Sequence, residues 1–314
     1  ESTKGDFDDP QSALDSALDS FSVYDTAIVT LKRNSGEGND QSMNAGASEQ
    51  NRTGLTLKNS ELKLLDYASK HFKKVIVVIN AANTMELGFL DKNDPNMDSN
   101  MMYTDPYNKT QKYDMSKIQG AFWAGCCGSQ GGKAIANILD GTTNPSGHLV
   151  DTYARDLTKD PTFNNFGSFK YTNSKSLNSY QDETFFVEYE EGIYSGYRYY
   201  ETAAYESMNG NYSGFDYDEA VVYPFGYGLS YTDFSMEYEG TPTYNKDTGE
   251  FAFKVKVTNK GDMAGKKVAQ IYVSAPYTKG GIEKSHVLLA GFAKTKLLNK
   301  GESEVIDINV KEDY

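Results

Sequence analysis

The apolar positions near the start of the chain recur at helical spacing. Ala13, Leu14, Ala17, Leu18 and Phe21 share one face, with Asp9 and Pro10 as start signals, and predict a helix there. Ala27–Leu31 (AIVTL) then forms a short β-branched run without alternation, the pattern of a strand buried on both faces of a parallel sheet. A polar stretch rich in Gly, Ser, Asn and Asp runs from about 32 to 52. A second helix is predicted over about 60–73, with Leu62, Leu65, Ser69 and Phe72 on one face and Asn59 or Ser60 as its cap. Val75–Ile79 (VIVVI) is the clearest buried strand in the chain. A short helical piece is expected at Leu87–Leu90. The tract from 91 to 117 is polar throughout and reads as a long surface loop or insertion. Ile118–Ala124 predicts a third strand. Gln130–Leu139 predicts a helix, entered through Gly128, Ser129, Gly131 and Gly132. Strand and helix alternate, the mark of an open α/β sheet sandwiched by helices.

After about residue 232 the pattern changes. Phe251–Thr258 alternates apolar and polar, and strands are predicted again at Val268–Val273, Val287–Ala293 and Val305–Val310. Turn residues fall between them, at 245–249, 259–265, 279–281 and 299–301. This is β-sandwich grammar, but only about five strands fit where such a module has roughly seven to nine. A sandwich ending at Tyr314 leaves an open edge, so an incomplete module is expected. The resulting division is an α/β domain over 1–232 and a β-sandwich over 233–314. Two domains also suit 314 residues at roughly 150 each.

Charge narrows the partners. Lys and Arg number 31 against 44 Asp and Glu, a net charge of −13, which argues against binding nucleic acid or an anionic membrane. No apolar run reaches the roughly 18 residues of a membrane span. The opening ESTKGDFDDP has neither Met nor a signal-peptide shape. Cys126 and Cys127 are the only cysteines and are adjacent, which supports neither a disulfide framework nor a zinc cage. His71, His148 and His286 share no ligand spacing. No metal and no cofactor are expected, and a soluble, cytoplasmic setting is favoured over secretion.

The strongest place for chemistry is the segment after the first strand, KRNSGEGND (32–40), because functional groups collect at the carboxyl ends of strands in open α/β sheets. Glu37 stands between two glycines, so a partner surface can approach it closely. Such a carboxyl can serve as a general acid if burial raises its pKa, or it can be an ordinary solvated side chain. Arg33 and Asp40 flank it. Arg33 offers forked donors for a carboxylate or sugar hydroxyl, or makes a surface ion pair of little worth. Glu86 either bonds the Glu37 segment or stabilises a helix start. Gly128–Gly132 lacks both phosphate-binding fingerprints, so tight packing explains it better than a cradle. Tyr194, Tyr197, Tyr199 and Tyr200 suit either a sugar platform or domain packing, with packing favoured. Phe225 and Tyr227 read as a hinge into the sandwich.

Several strings, in order, resemble glycoside hydrolase family 3, the β-glucosidase-like enzymes. KRNSGEGND is similar to the segment that carries that family's acid/base. VIVVINAANTMELGFLD is similar to its strand and loop with a Met-Glu pair, and AFWAGCCGSQGGKAIANILDGTTNPSGHL to its WAG–glycine–helix–NPSG run. EEGIYSGYRYYET and YPFGYGLSYTDF are similar to its late aromatic signatures. VTNKGDMAGKKVAQIYVSAP and LAGFAKTKLLNKGESEVIDINV are similar to its trailing fibronectin-III-like (Ig-like) domain. Cys126-Cys127-Gly128-Ser129-Gln130 departs from the family's aromatic-Pro-Gly-Gln-Glu.

The resemblance implies retaining hydrolysis of terminal β-linked glucose or a related sugar, on a β-glucoside or oligosaccharide substrate. That chemistry uses a nucleophile and an acid/base about 5–5.5 Å apart. By resemblance Glu37 is the acid/base, and the nucleophilic Asp belongs to a (β/α)8 barrel of the same protein. A barrel needs about 250 residues beyond the modules read here. The chain alone is then expected to be inactive. The other function class compatible with these residues is a non-catalytic carbohydrate-binding or interaction module on the same fold.

Overall fold

The computed structural model describes residues 14–15, 23–33, 54–165, 169–173 and 184–312. The chain divides into two compact units. One is Glu1–Ile135 with Tyr153–Leu157, and the other is Ala136–Thr152 with Thr158–Tyr314.

In the first unit, strands β1 (Thr26–Lys32), β2 (Lys74–Asn80) and β5 (Ile118–Trp123) form a parallel sheet in the order β1-β2-β5. The helix Asn59–His71 connects β1 to β2, the crossover that parallel strands require. It forms where its apolar face predicts, and Leu62, Leu65 and Ala68 are buried. Its cap is Lys58 rather than Asn59 or Ser60, and the Glu61 carboxylate reaches back to accept from the Lys58 amide at 2.9 Å. β2 is the central strand, and Val75, Val77, Val78 and Ile79 are almost wholly buried. β1 departs from expectation. Val29 and Leu31 are buried, but Ile28 is 55% exposed. Only one face of this outer strand is covered, so its apolar run does not signify burial on both sides. The helix expected near 13–21 lies outside the described residues, apart from Leu14 and Asp15. Asp15 accepts from the Tyr67 hydroxyl at 2.9 Å.

The 91–117 tract is folded rather than a simple surface loop. It contains the antiparallel ribbon β3 (Met102–Thr104) and β4 (Lys112–Asp114), and it buries Asp94, Tyr103, Asp105, Tyr113 and Met115. The carboxylates of Asp91, Asp94, Asp98, Asp105 and Asp114 each accept from the backbone amide two residues on, a series of Asx turns. Arg155 pairs with Asp91 at 2.8 Å and also with Asp94, which is buried. Asp114 N–H donates to the Asp66 carboxylate at 2.7 Å, tying the tract to the helix Asn59–His71.

The second unit contains a two-layer antiparallel β-sandwich. Phe234–Tyr238, Thr243–Asn245 and Ser303–Lys311 all pair with the long strand Glu250–Asn259. Val268–Val273 pairs with Leu288–Lys294 to form the other layer. Val255, Val257, Ala269, Ile271, Ala290, Leu298, Ile306, Ile308 and Val310 make the shared core. The four strands expected after 232 are all present, and two further strands precede them. Asn259 is fully buried beside this core, with all four of its side-chain hydrogen-bond positions filled. It donates to the carbonyls of Met263 and Leu298 and accepts from the Thr232 hydroxyl and the Gly261 amide.

The tyrosine-rich stretch forms a helix, Tyr197–Met208, in this second unit. Tyr200 is buried and its hydroxyl donates to Asp160. Tyr199 packs edge-on against Tyr200 and against Phe215. Tyr197 stacks near Phe225 and accepts from the Leu289 amide. Tyr194 donates to Glu283 at 2.6 Å, and Tyr227 packs on Tyr223. These contacts are packing contacts within the unit.

Candidate functional site

The parallel register aligns the ends of the three strands. Lys32 lies opposite Asn80, and Ile79 opposite Trp123. The segments that follow therefore leave one carboxyl edge. Backbone and side chain lace that edge together: Arg33 N–H donates to Asn80 O (3.1 Å), Ala124 N–H to Ile79 O (2.8 Å), and the Asn80 amide to Gly125 O (2.5 Å).

Arg33 is the principal residue at this edge. It is 5% exposed, and all five of its N–H donors have partners in the chain. Nε donates to Gly54 O at 2.9 Å. Nη1 donates to Lys32 O at 2.9 Å and to Glu61 Oε1 at 2.5 Å. Nη2 donates to Thr56 O at 2.7 Å and to Glu61 Oε2 at 2.8 Å. The guanidinium thus ties the end of β1, the chain at 54–56 and the first turn of the helix Asn59–His71. This is a buried bidentate pair, not a surface one. Glu37 and Asp40 lie outside the described residues.

Glu86 lies in the same unit. Its amide donates to Leu55 O at 2.9 Å, so it too holds the chain just after the Glu37 segment. Its carboxylate accepts from the Tyr107 hydroxyl (3.0 and 2.9 Å) and from the Leu157 amide (3.0 Å). Burial pushes the Glu86 carboxyl up to about 7 against these hydrogen bonds, with smaller contributions from Asp156 and Asp94. Burial, then the charge of Glu86, pushes the Tyr107 hydroxyl above its ordinary range. A carboxyl near neutrality is suited to proton transfer. However, the cavity beside it, lined by Thr56, Leu57, Glu86, Asp105 and Tyr107 among others, holds about 10 Å³. That is space for one water and not for a sugar. Glu86 thus ties together the chain at Leu55, Tyr107 and Leu157.

Sequence reasoning missed Glu61, Asn80 and Tyr107. The Glu61 position three residues after Lys58 marks a helix start, but nothing in the sequence points it at Arg33. The glycine run is explained more narrowly than expected. A Cβ on Gly131 would run into Cys127, whereas Gly128 and Gly132 have open space. Cys126 and Cys127 are exposed and free. His71 stacks on Tyr67 and His286 on Tyr205. Among the described residues no group of three His, Cys, Asp or Glu side chains is placed to hold a metal, and no helix is long and apolar enough to cross a membrane.

A parallel-stranded α/β unit with a clamped connection at its carboxyl edge, together with an antiparallel β-sandwich, defines an α/β-plus-sandwich class of chain. Residues 99–197 match the model of the glycosyl hydrolase family 3 C-terminal domain. The chain is 32% identical to β-glucosidase A of Butyrivibrio fibrisolvens over 96% of its own length and 34% of that protein's. It is 32% identical to a β-glucosidase of Ruminococcus albus over 92% of its length and 24% of that protein's. Among solved structures it is similar to a β-glucosidase from Paenibacillus barengoltzii, with a TM-score of 0.69 and 30% identity over 94% of this chain and 26% of that one. It is also similar to β-glucosidase 3B from Thermotoga neapolitana, with a TM-score of 0.65 and 29% identity over 94% of this chain and 34% of that one. The chain carries a glycosyl hydrolase family 3 C-terminal domain. It spans 34% or less of the length of these two curated relatives.

Proposed function

We propose that this chain is part of a retaining, β-glucosidase-like glycoside hydrolase that removes terminal β-linked glucose or a related sugar. Glu37 supplies the general acid/base, and a (β/α)8 barrel of the same protein supplies the nucleophilic Asp. In the first step the barrel carboxylate attacks the anomeric carbon while Glu37 protonates the departing oxygen. In the second, Glu37 takes a proton from the water that releases the sugar. Arg33 and Asp40, on either side of Glu37 in the sequence, are substrate-binding or supporting residues. The α/β domain occupies 1–232 and the fibronectin-III-like module 233–314. A cytoplasmic setting is favoured over secretion.

The observation that carries this reading is the match to β-glucosidases over 96% of the chain, taken with the GEG string that follows β1. The test is Glu37→Gln in the barrel-bearing protein. Aryl β-glucosides with poor leaving groups should slow by about 100-fold or more, and those with good leaving groups far less. An equal rate for both proteins across the series removes Glu37 from this role.

A further inference from the structure

We propose that Cys126 and Cys127 form a vicinal dithiol site that captures trivalent arsenicals at the carboxyl edge of the parallel sheet. The site is independent of the acid/base reading of Glu37. Both thiols are exposed and free. The two residues are joined by a trans peptide, which sets their Cα atoms about 3.8 Å apart. Disulfides span about 4.4–6.8 Å between Cα atoms, so closing this pair on itself is strained and the reduced dithiol is the favoured form. Two soft sulfurs side by side then suit a thiophilic centre that bridges them.

The chain holds the pair in place. Trp123 ends β5, and the residues after it are tied back to β2. Ala124 N–H donates to Ile79 O at 2.8 Å, and the Asn80 amide donates to Gly125 O at 2.5 Å. The Cys127 thiol donates to Ala124 O at 3.5 Å. Gly131 N–H donates to Gly128 O at 2.9 Å, and the missing side chain at Gly131 leaves the space that Cys127 occupies. Gly128 and Gly132 have open space where a Cβ would stand, so a bound group has room. The donor count selects the ligand. Among the described residues no group of three His, Cys, Asp or Glu side chains is placed to hold a metal, so an ion that takes four protein ligands, as structural zinc does, is not served. Trivalent arsenic needs only the two sulfurs and brings its own third substituent. The step is a condensation in which R–As(OH)2 and two S–H groups give R–As(S)2 and two waters. Two As–S bonds form, two As–O and two S–H bonds break, and arsenic stays trivalent, so no oxidant or reductant enters.

The test titrates the reduced chain with phenylarsine oxide and reads intact mass, the free-thiol count and the fluorescence of Trp123, the one tryptophan in the chain. Trp123 reports on this turn because its ring lies 4.0 Å from where a Gly125 Cβ would stand. One arsenical per chain is expected, with both thiols lost together and a change in Trp123 emission. It should be released by 2,3-dimercaptopropanol but not by 2-mercaptoethanol at the same concentration. Cys126→Ser and Cys127→Ser should each weaken capture by about 100-fold or more, because the second sulfur of a linked pair binds at high effective concentration. Gly131→Ala displaces Cys127 and should weaken capture by about 10-fold while both thiols still react with iodoacetamide. Capture as tight in either serine variant as in the unsubstituted chain means a single-thiol adduct and overturns the site. A pair already joined as a disulfide in air overturns it too, as do thiols that react with iodoacetamide but lose the arsenical to 2-mercaptoethanol. Equal capture by Gly131→Ala overturns the placement argued for Cys127.

Discussion

The Tyr107 hydroxyl lies 3.0 and 2.9 Å from the two carboxylate oxygens of Glu86, in a part of the first unit where Glu86 is only 9% exposed. Because burial outweighs the hydrogen bonds, the folded Glu86 carboxyl sits at about 7 against an ordinary 4.5. The folded chain then holds more protons than the unfolded chain between those values, so stability falls as pH rises through the window. The favourable contribution is complete below about pH 4.5 and lost above about 7, and it is on the order of 3 kcal/mol. Urea unfolding from pH 5 to 8 should show this decline, and Glu86→Gln should flatten it. An equal decline in the variant would assign the effect to another group.

Arg155, which pairs with two carboxylates of the 91–117 tract, is expected to be costly to remove. Asp94 is 2% exposed and pairs with Arg155, which also holds Asp91. Arg155→Ala leaves a buried carboxylate uncompensated and should cost about 3–5 kcal/mol. Equilibrium unfolding measures this directly, and a loss below about 1 kcal/mol would mean that water or another cation replaces the guanidinium.

Asn259 makes an independent prediction for the sandwich. Replacing it by Ala strands the Met263 and Leu298 carbonyls and the Gly261 amide, and leaves the Thr232 hydroxyl without its acceptor. Loss of about 1–3 kcal/mol is expected from the stranded groups. Thermal unfolding should register it, and a melt equal to that of the unsubstituted chain would show that these groups find new partners.

Elements built on apolar periodicity were legible in the sequence. VIVVI reads as a buried strand because its five apolar residues are uninterrupted, and the alternation of FAFKVKVT reads as a half-buried one. The 91–117 tract was not legible, because Asp and Asn side chains hold its turns and a purely hydrophobic reading sees only polarity. Burial of Arg33 was hidden for a related reason: apart from Lys32 O, its partners lie 21 to 28 residues downstream and meet it only when β1 and the helix Asn59–His71 pack together. The helix Tyr197–Met208 was obscured by tyrosines, whose apolar bodies and polar tips blur the contrast between faces.

The central claim is that this chain holds one carboxyl of a catalytic pair and the barrel holds the other. The most direct measurement is turnover of an aryl β-glucoside by the isolated chain and by the same chain joined to its barrel, at equal concentration. The account predicts hydrolysis by the joined protein and none above background by the isolated chain. Robust turnover by the isolated chain would contradict it.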